Sequence, residues 1–149
     1  YILLQIHTFP DDRKRPMPIS YLFKGDLLMF KARGAVTVKE FYLAWNKISG
    51  DPSFQRPLDT LIDLREAQVD VPGHEIEAIA YRLKEDRFFN KMVFVAERGS
   101  FTYAMGRMFC INAEYVGCRS EIFLNMVDAL AWLDREGMDD EPAAPIDAS

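Results

Sequence analysis

This chain is poor in the residues that most often carry chemistry. Among its 149 residues are two histidines, His7 and His74, and two cysteines, Cys110 and Cys118. A zinc site of the Cys/His type has no spacing to build on, because there is no Cys-x-x-Cys pair and His74 has only Glu75 beside it and Glu77 one turn on. His74 therefore reads as an exposed histidine at a helix start. The cysteines fall in segments that read as a helix and the start of a strand, so they are expected to be small buried hydrophobes of a reducing compartment and not a disulfide. Gly99-Ser100-Phe101 lacks the second glycine of a nucleophile elbow, no Walker-type loop is present, and Cys110 has no histidine partner in its own segment. The chain is read as a non-enzyme with no cofactor and no metal.

An excess of positive charge is also missing. With 18 bases against 23 acids the net charge is −5, which argues against a broad grip on nucleic acid or on an anionic membrane. The bases Arg82, Lys84, Arg87, Lys91 and Arg98 are diluted by Glu85, Asp86 and Glu97, and a helix C-terminus accounts for Lys84 and Arg87. No apolar run reaches the ~18 residues of a membrane span. Tyr1 to Ile6 is apolar but lacks the basic flank and cleavage site of a signal peptide, so the protein is expected to be soluble and cytoplasmic.

What the chain does have is 49% apolar and 13% aromatic content, enough for the core of one domain. Residues 10–18 hold three prolines and five charges, which makes 1–18 a stub and linker; 19–136 is the domain, and 137–149 reads as an acidic disordered tail. Ile19 to Lys24 and Leu27 to Arg33 flank Gly25-Asp26 and predict a hairpin. Thr37 and Glu40 form a capping box before a helix whose buried face is Val38, Phe41, Trp45 and Ile48, stopped by Gly50 and Pro52. Leu58 to Leu64 predicts a central strand, and Pro72 opens a helix with Ile76, Ile79, Ala80 and Leu83 buried. Met92 to Ala96 predicts a buried strand. Ser100 caps a third helix with Phe101, Ala104, Met105, Met108 and Phe109 inward. Ile122 to Leu124 is a last strand, led into by Tyr115 to Cys118, and Asn125 caps a final helix carrying Met126, Ala129, Leu130 and Leu133 and closed by Gly137.

The order β-β-α-β-α-β-α-β-α predicts a single α/β domain with a four- to five-stranded, mixed but mostly parallel sheet, an antiparallel edge strand and four helices. That order, with Leu61-Ile-Asp-Leu-Arg65, Gly106-Arg-Met-Phe109 and Asp128-Ala-Leu-Ala-Trp-Leu133, resembles the STAS fold of anti-sigma-factor antagonists. It is closer to the bacterial SpoIIAA-like branch, which is similar in turn to CRAL-TRIO lipid-transfer domains. The resemblance covers roughly residues 19 to 135 and is specific as a pattern of elements, not as a set of chemical motifs.

The resemblance implies a regulatory or protein-interaction domain. Antagonists of that family carry a phosphorylated serine at the start of the second helix, but the matching loop here, Asp70-Val-Pro-Gly-His74, has no hydroxyl to carry the charge. Asp70 stands either as a fixed mimic of that charge or as an ordinary helix-start acid. The expected partner-binding residues are Asp70, Pro72, Gly73 and His74. The alternative is a small apolar ligand or lipid held against the third helix by Phe101, Tyr103, Met105 and Arg107, which needs a cavity of a few hundred cubic ångströms. A homodimer through an exposed edge at Ile19 to Lys24 is compatible with either reading.

Overall fold

A computed structural model describes residues 18–55, 57–135 and 146–147. The N-terminal stub except Pro18 and all of the acidic tail except 146–147 lie outside the described residues, as does Gly137. Strands β1 (Ile19–Lys24) and β2 (Leu27–Val36) form the antiparallel hairpin, and Gly25 takes the positive φ, +63°, that its turn requires. Helix α1 (Val38–Ser49) follows Thr37, whose backbone N–H and hydroxyl both donate to the Glu40 carboxylate at 2.6 and 2.9 Å. The chain continues through β3 (Leu58–Val69), α2 (Gly73–Asp86), β4 (Phe89–Val95), α3 (Phe101–Tyr115), β5 (Arg119–Phe123) and α4 (Met126–Trp132).

The sheet order is β5-β4-β3-β2-β1, and β6 (Ile146–Asp147) adds two residues outside β1. From β2 to β5 each parallel strand is laid beside the last in one direction. Right-handed crossovers in one direction put all their helices on one face, so α1, α2 and α3 share a face. Its core is large: Tyr21, Phe30, Ile62, Leu64, Met92 and Phe94 from the sheet meet Trp45, Ile48, Ile76, Ile79, Leu83 and Met105 from the helices. The other face holds a smaller core in which Leu61, Val93 and Val95 pack under Met126, Ala129, Leu130 and Leu133 of α4 and its cap. Arg135, just past α4, donates to Asp26 at 2.6 Å and Asp59 at 3.3 Å, and its guanidinium holds the Asp26 carboxyl below the usual range.

The four helices, the hairpin, the capping residues Thr37, Ser100 and Asn125, and the buried face of α2 match the sequence reading. Several expectations need correction. β2 runs to Val36 and β3 to Val69, because the two strands stay paired to Val36↔Val69 with one irregularity between Lys31 and Arg33. Pro72 is the residue before α2 and not in its first turn. Tyr115 is helical and 86% exposed, so it does not lead into β5, which starts at Arg119.

The inward face of α3 is the largest correction. Thr102, Met105, Gly106 and Ala113 are buried, while Phe101, Ala104 and Met108 are exposed. Apolar residues run along two sides of this helix, so spacing alone did not choose the inner one. Gly106 lies on the side that is buried: a methyl group there would stand 2.5 Å from the Ile122 Cδ1, so the end of that side chain would have to turn aside. Finally, the edge expected free at β1 is paired to β6 at Ser20 and Tyr21.

Candidate functional site

The last pairing between β3 and β4 is Asp63↔Val95, yet β3 continues to Val69 on its β2 side. Leu64 to Val69 therefore projects with no strand on the β4 side among the described residues. Thr102, in the first turn of α3, fills part of that gap. Its hydroxyl donates to the Ala67 carbonyl at 3.0 Å and accepts from the Val69 N–H at 3.2 Å, and the side chain is buried. One hydroxyl thus does for two backbone groups what a neighbouring strand would have done.

Between the overhang and the start of α3 lies a groove of about 420 Å³. Leu64, Ala67, Val69 and Thr102 are its buried members; Glu66, Gln68, Asp70, Glu97 and Phe101 are its exposed ones. It runs alongside the last residues of β3 and just beyond the carboxyl end of β4. Phe101 is 67% exposed at the groove, a large aromatic group left largely in water. The charges are lopsided. Arg65 is turned to Asp63, donating through Nε and Nη2 at 2.9 Å each, and Glu66 faces Lys31 and Arg33 at 3.3 and 3.4 Å. The exposed carboxylates Asp70 and Glu97 set the remaining sign as negative. Burial works to raise the Asp63 pKa, but the side-chain and backbone N–H groups of Arg65 and the charge of Lys31 outweigh it and hold the carboxyl below its usual range.

The residues singled out from sequence divide among separate places. Asp70 and Phe101 come together in this groove. Pro72, Gly73 and His74 are exposed beside it without lining it, and the Met108 sulfur lies 3.7 Å from where a Cβ of Gly73 would be, an ordinary contact distance. Tyr103 is half-buried against the main core, its N–H donated to the Ser100 hydroxyl at 3.0 Å. Arg107 is exposed. Met105 alone of the four ligand candidates lines an apolar cavity of about 60 Å³ under α3, walled also by Trp45, Ile79, Leu83, Met92 and Phe94. Sequence reasoning missed Thr102, Gln68 and Glu97 as site residues, which meet only because segments about thirty residues apart converge.

Both cysteines are free and half-buried. Burial pushes the Cys110 thiol up to about 11, and raises that of Cys118, so neither is a ready thiolate at neutral pH. Among the described residues no group of three His, Cys, Asp or Glu side chains is placed to hold a metal, and no helix is long and apolar enough to cross a membrane.

One solved structure closes the question of architecture. An uncharacterized protein from the DUF3478 family of Shewanella loihica PV-4, described as having a SpoIIAA-like fold, matches with a TM-score of 0.51 at 22% identity, over 77% of this chain and 91% of that one. The fold is SpoIIAA-like. No family model and no curated protein matches the sequence. At 22% identity the likeness carries the SpoIIAA-like architecture and not an activity.

Proposed function

We propose that this SpoIIAA-like chain is a non-catalytic protein-interaction domain of regulatory type, and that it receives a partner segment in the groove between the β3 overhang and the start of α3. The observation that carries the reading is the 420 Å³ groove itself, with a projecting strand on one side and the exposed Phe101 on the other. An extended segment suits a groove that runs along a strand, with its affinity coming from side-chain contacts at Phe101 and the carboxylates, because Thr102 and Asp63 already take the Ala67 carbonyl and the Val69 and Arg65 N–H groups of that edge. The carboxylates Asp70 and Glu97 favour a basic segment.

The apolar-ligand alternative is disfavoured at Met105 by volume, since the cavity of about 60 Å³ there falls well below the ~150 Å³ that accepts a benzene-sized molecule, and at the larger groove by the exposed carboxylates Glu66, Asp70 and Glu97 in its lining.

The test is a photo-crosslinking amino acid placed at Phe101 in the host organism, with a second at Lys47 as a distant control. A defined adduct from position 101, absent from position 47 and lost when Asp70→Lys and Glu97→Lys are added, is the expected result. An adduct that ignores those two charge reversals, or none from position 101, rejects the groove as the docking site.

A further inference from the structure

Helix α3 carries a second apolar stripe, on its outer side. Phe101, Ala104, Met108, Ile111 and Tyr115 are all exposed, Ile111 by 52% and Tyr115 by 86%. Their spacing alternates three and four residues, the a/d repeat by which two helices pack along a seam. Arg107 and Glu114 flank this stripe one heptad apart on the same side. Both are exposed, and neither has an ion-pair partner among the described residues.

The arrangement is complementary to itself. With the axis of a two-fold pair passing between Met108 and Ile111 and the helices antiparallel, Met108 packs on Ile111 and Ala104 on Tyr115, small against large, each contact made twice. Arg107 of each copy then approaches Glu114 of the other. They are about two residues out of direct opposition, about 3 Å along the axis at 1.5 Å per residue, a gap two long side chains span. These are the only charges on α3, one base and one acid, whereas helices that lie in anionic bilayers carry several bases on the polar face.

We infer that the outer face of α3 is a self-association surface on which a second copy of the chain docks antiparallel. One 15-residue helix covers well under the ~800 Å² per partner of a stable interface, so the dimer is reversible and of micromolar or weaker affinity. Phe101 ends this stripe and also lines the groove, whereas Ile111, Arg107 and Glu114 do not, so substitutions at those three test the surface separately from the groove.

Sedimentation equilibrium of the full chain from about 10 μM to about 1 mM tests the inference, an interval set by the expected affinity. A monomer–dimer equilibrium is expected, weakened at least tenfold by Ile111→Glu. Arg107→Glu and Glu114→Arg should each weaken it alone, and mixing those two variants should restore a dimer that neither forms by itself, because each unlike pair is then complementary. Circular dichroism confirms that the exposed substitutions leave the fold intact. A monomer at every concentration, or a dimer whose strength is the same in the single variants and the mixture, overturns the proposal. So does a monomer that binds anionic phosphatidylserine vesicles in a manner lost with Ile111→Glu, which would assign the stripe to a lipid surface.

Discussion

Tyr21 shows how one buried residue links sequence to a measurable property. Its ring is 2% exposed, in the main core, and its hydroxyl donates to the Asp51 carboxylate at 3.0 Å just beyond α1. Burial first, then the hydrogen bond to Asp51 and that carboxylate's charge, push the phenol up to about 12 from 10. A raised phenol pKa means that the folded state favours the neutral form. Its contribution to stability is complete below pH 10 and is lost as the pH rises toward 12. An ultraviolet titration of the phenolate band should show one tyrosine ionising late, missing in Tyr21→Phe. Asp51→Asn should bring that step down only part of the way, since burial is the larger cause; the lack of any late step in the wild type would show that the hydroxyl meets water.

At the scale of elements, α2 and α3 mark how much of the site could be read from the chain. Helix α2 has one apolar stripe, Ile76, Ile79, Ala80 and Leu83, and burial follows it. Helix α3 has two, and its inner face makes contacts that leave little trace in local spacing: Thr102 against the β3 backbone, and Gly106 beside Ile122. For the same reason Met105 was found as a cavity residue while Phe101 went to the groove and Arg107 to the outer surface. Thr102 fastens α3 to the overhang, so Thr102→Val, close in shape but without the hydroxyl, leaves a buried carbonyl and N–H unpaired. That should cost about 1–3 kcal/mol in urea unfolding and speed hydrogen exchange at Val69, with β1 and β2 unaffected. A cost near zero would mean that water replaces the hydroxyl.

For the whole molecule, the one-directional march of strands from β2 to β5 stacks three helices on one face and leaves the other to α4 and its cap. The main core closes around a cavity of about 60 Å³, which is too small for a lipid tail without moving α3 off the sheet. Native and denaturing mass spectra of protein purified from its host should therefore agree. An apolar compound released only on denaturation would show that the core opens, and would return the ligand reading to first place.

The sequence by itself determined the order of elements, the hairpin, the helix caps and the single stripe of α2, and with them a mixed, mostly parallel sheet. These depend on residues within a few positions of one another, where backbone preference and apolar period act directly. Tertiary structure alone decided how far β3 outruns β4, which side of α3 faces inward, and that Asp70 and Phe101 share a groove. Those outcomes rest on contacts between residues about thirty or more positions apart, such as Thr102 with Ala67, whose partners are chosen only when the helix is laid on the sheet.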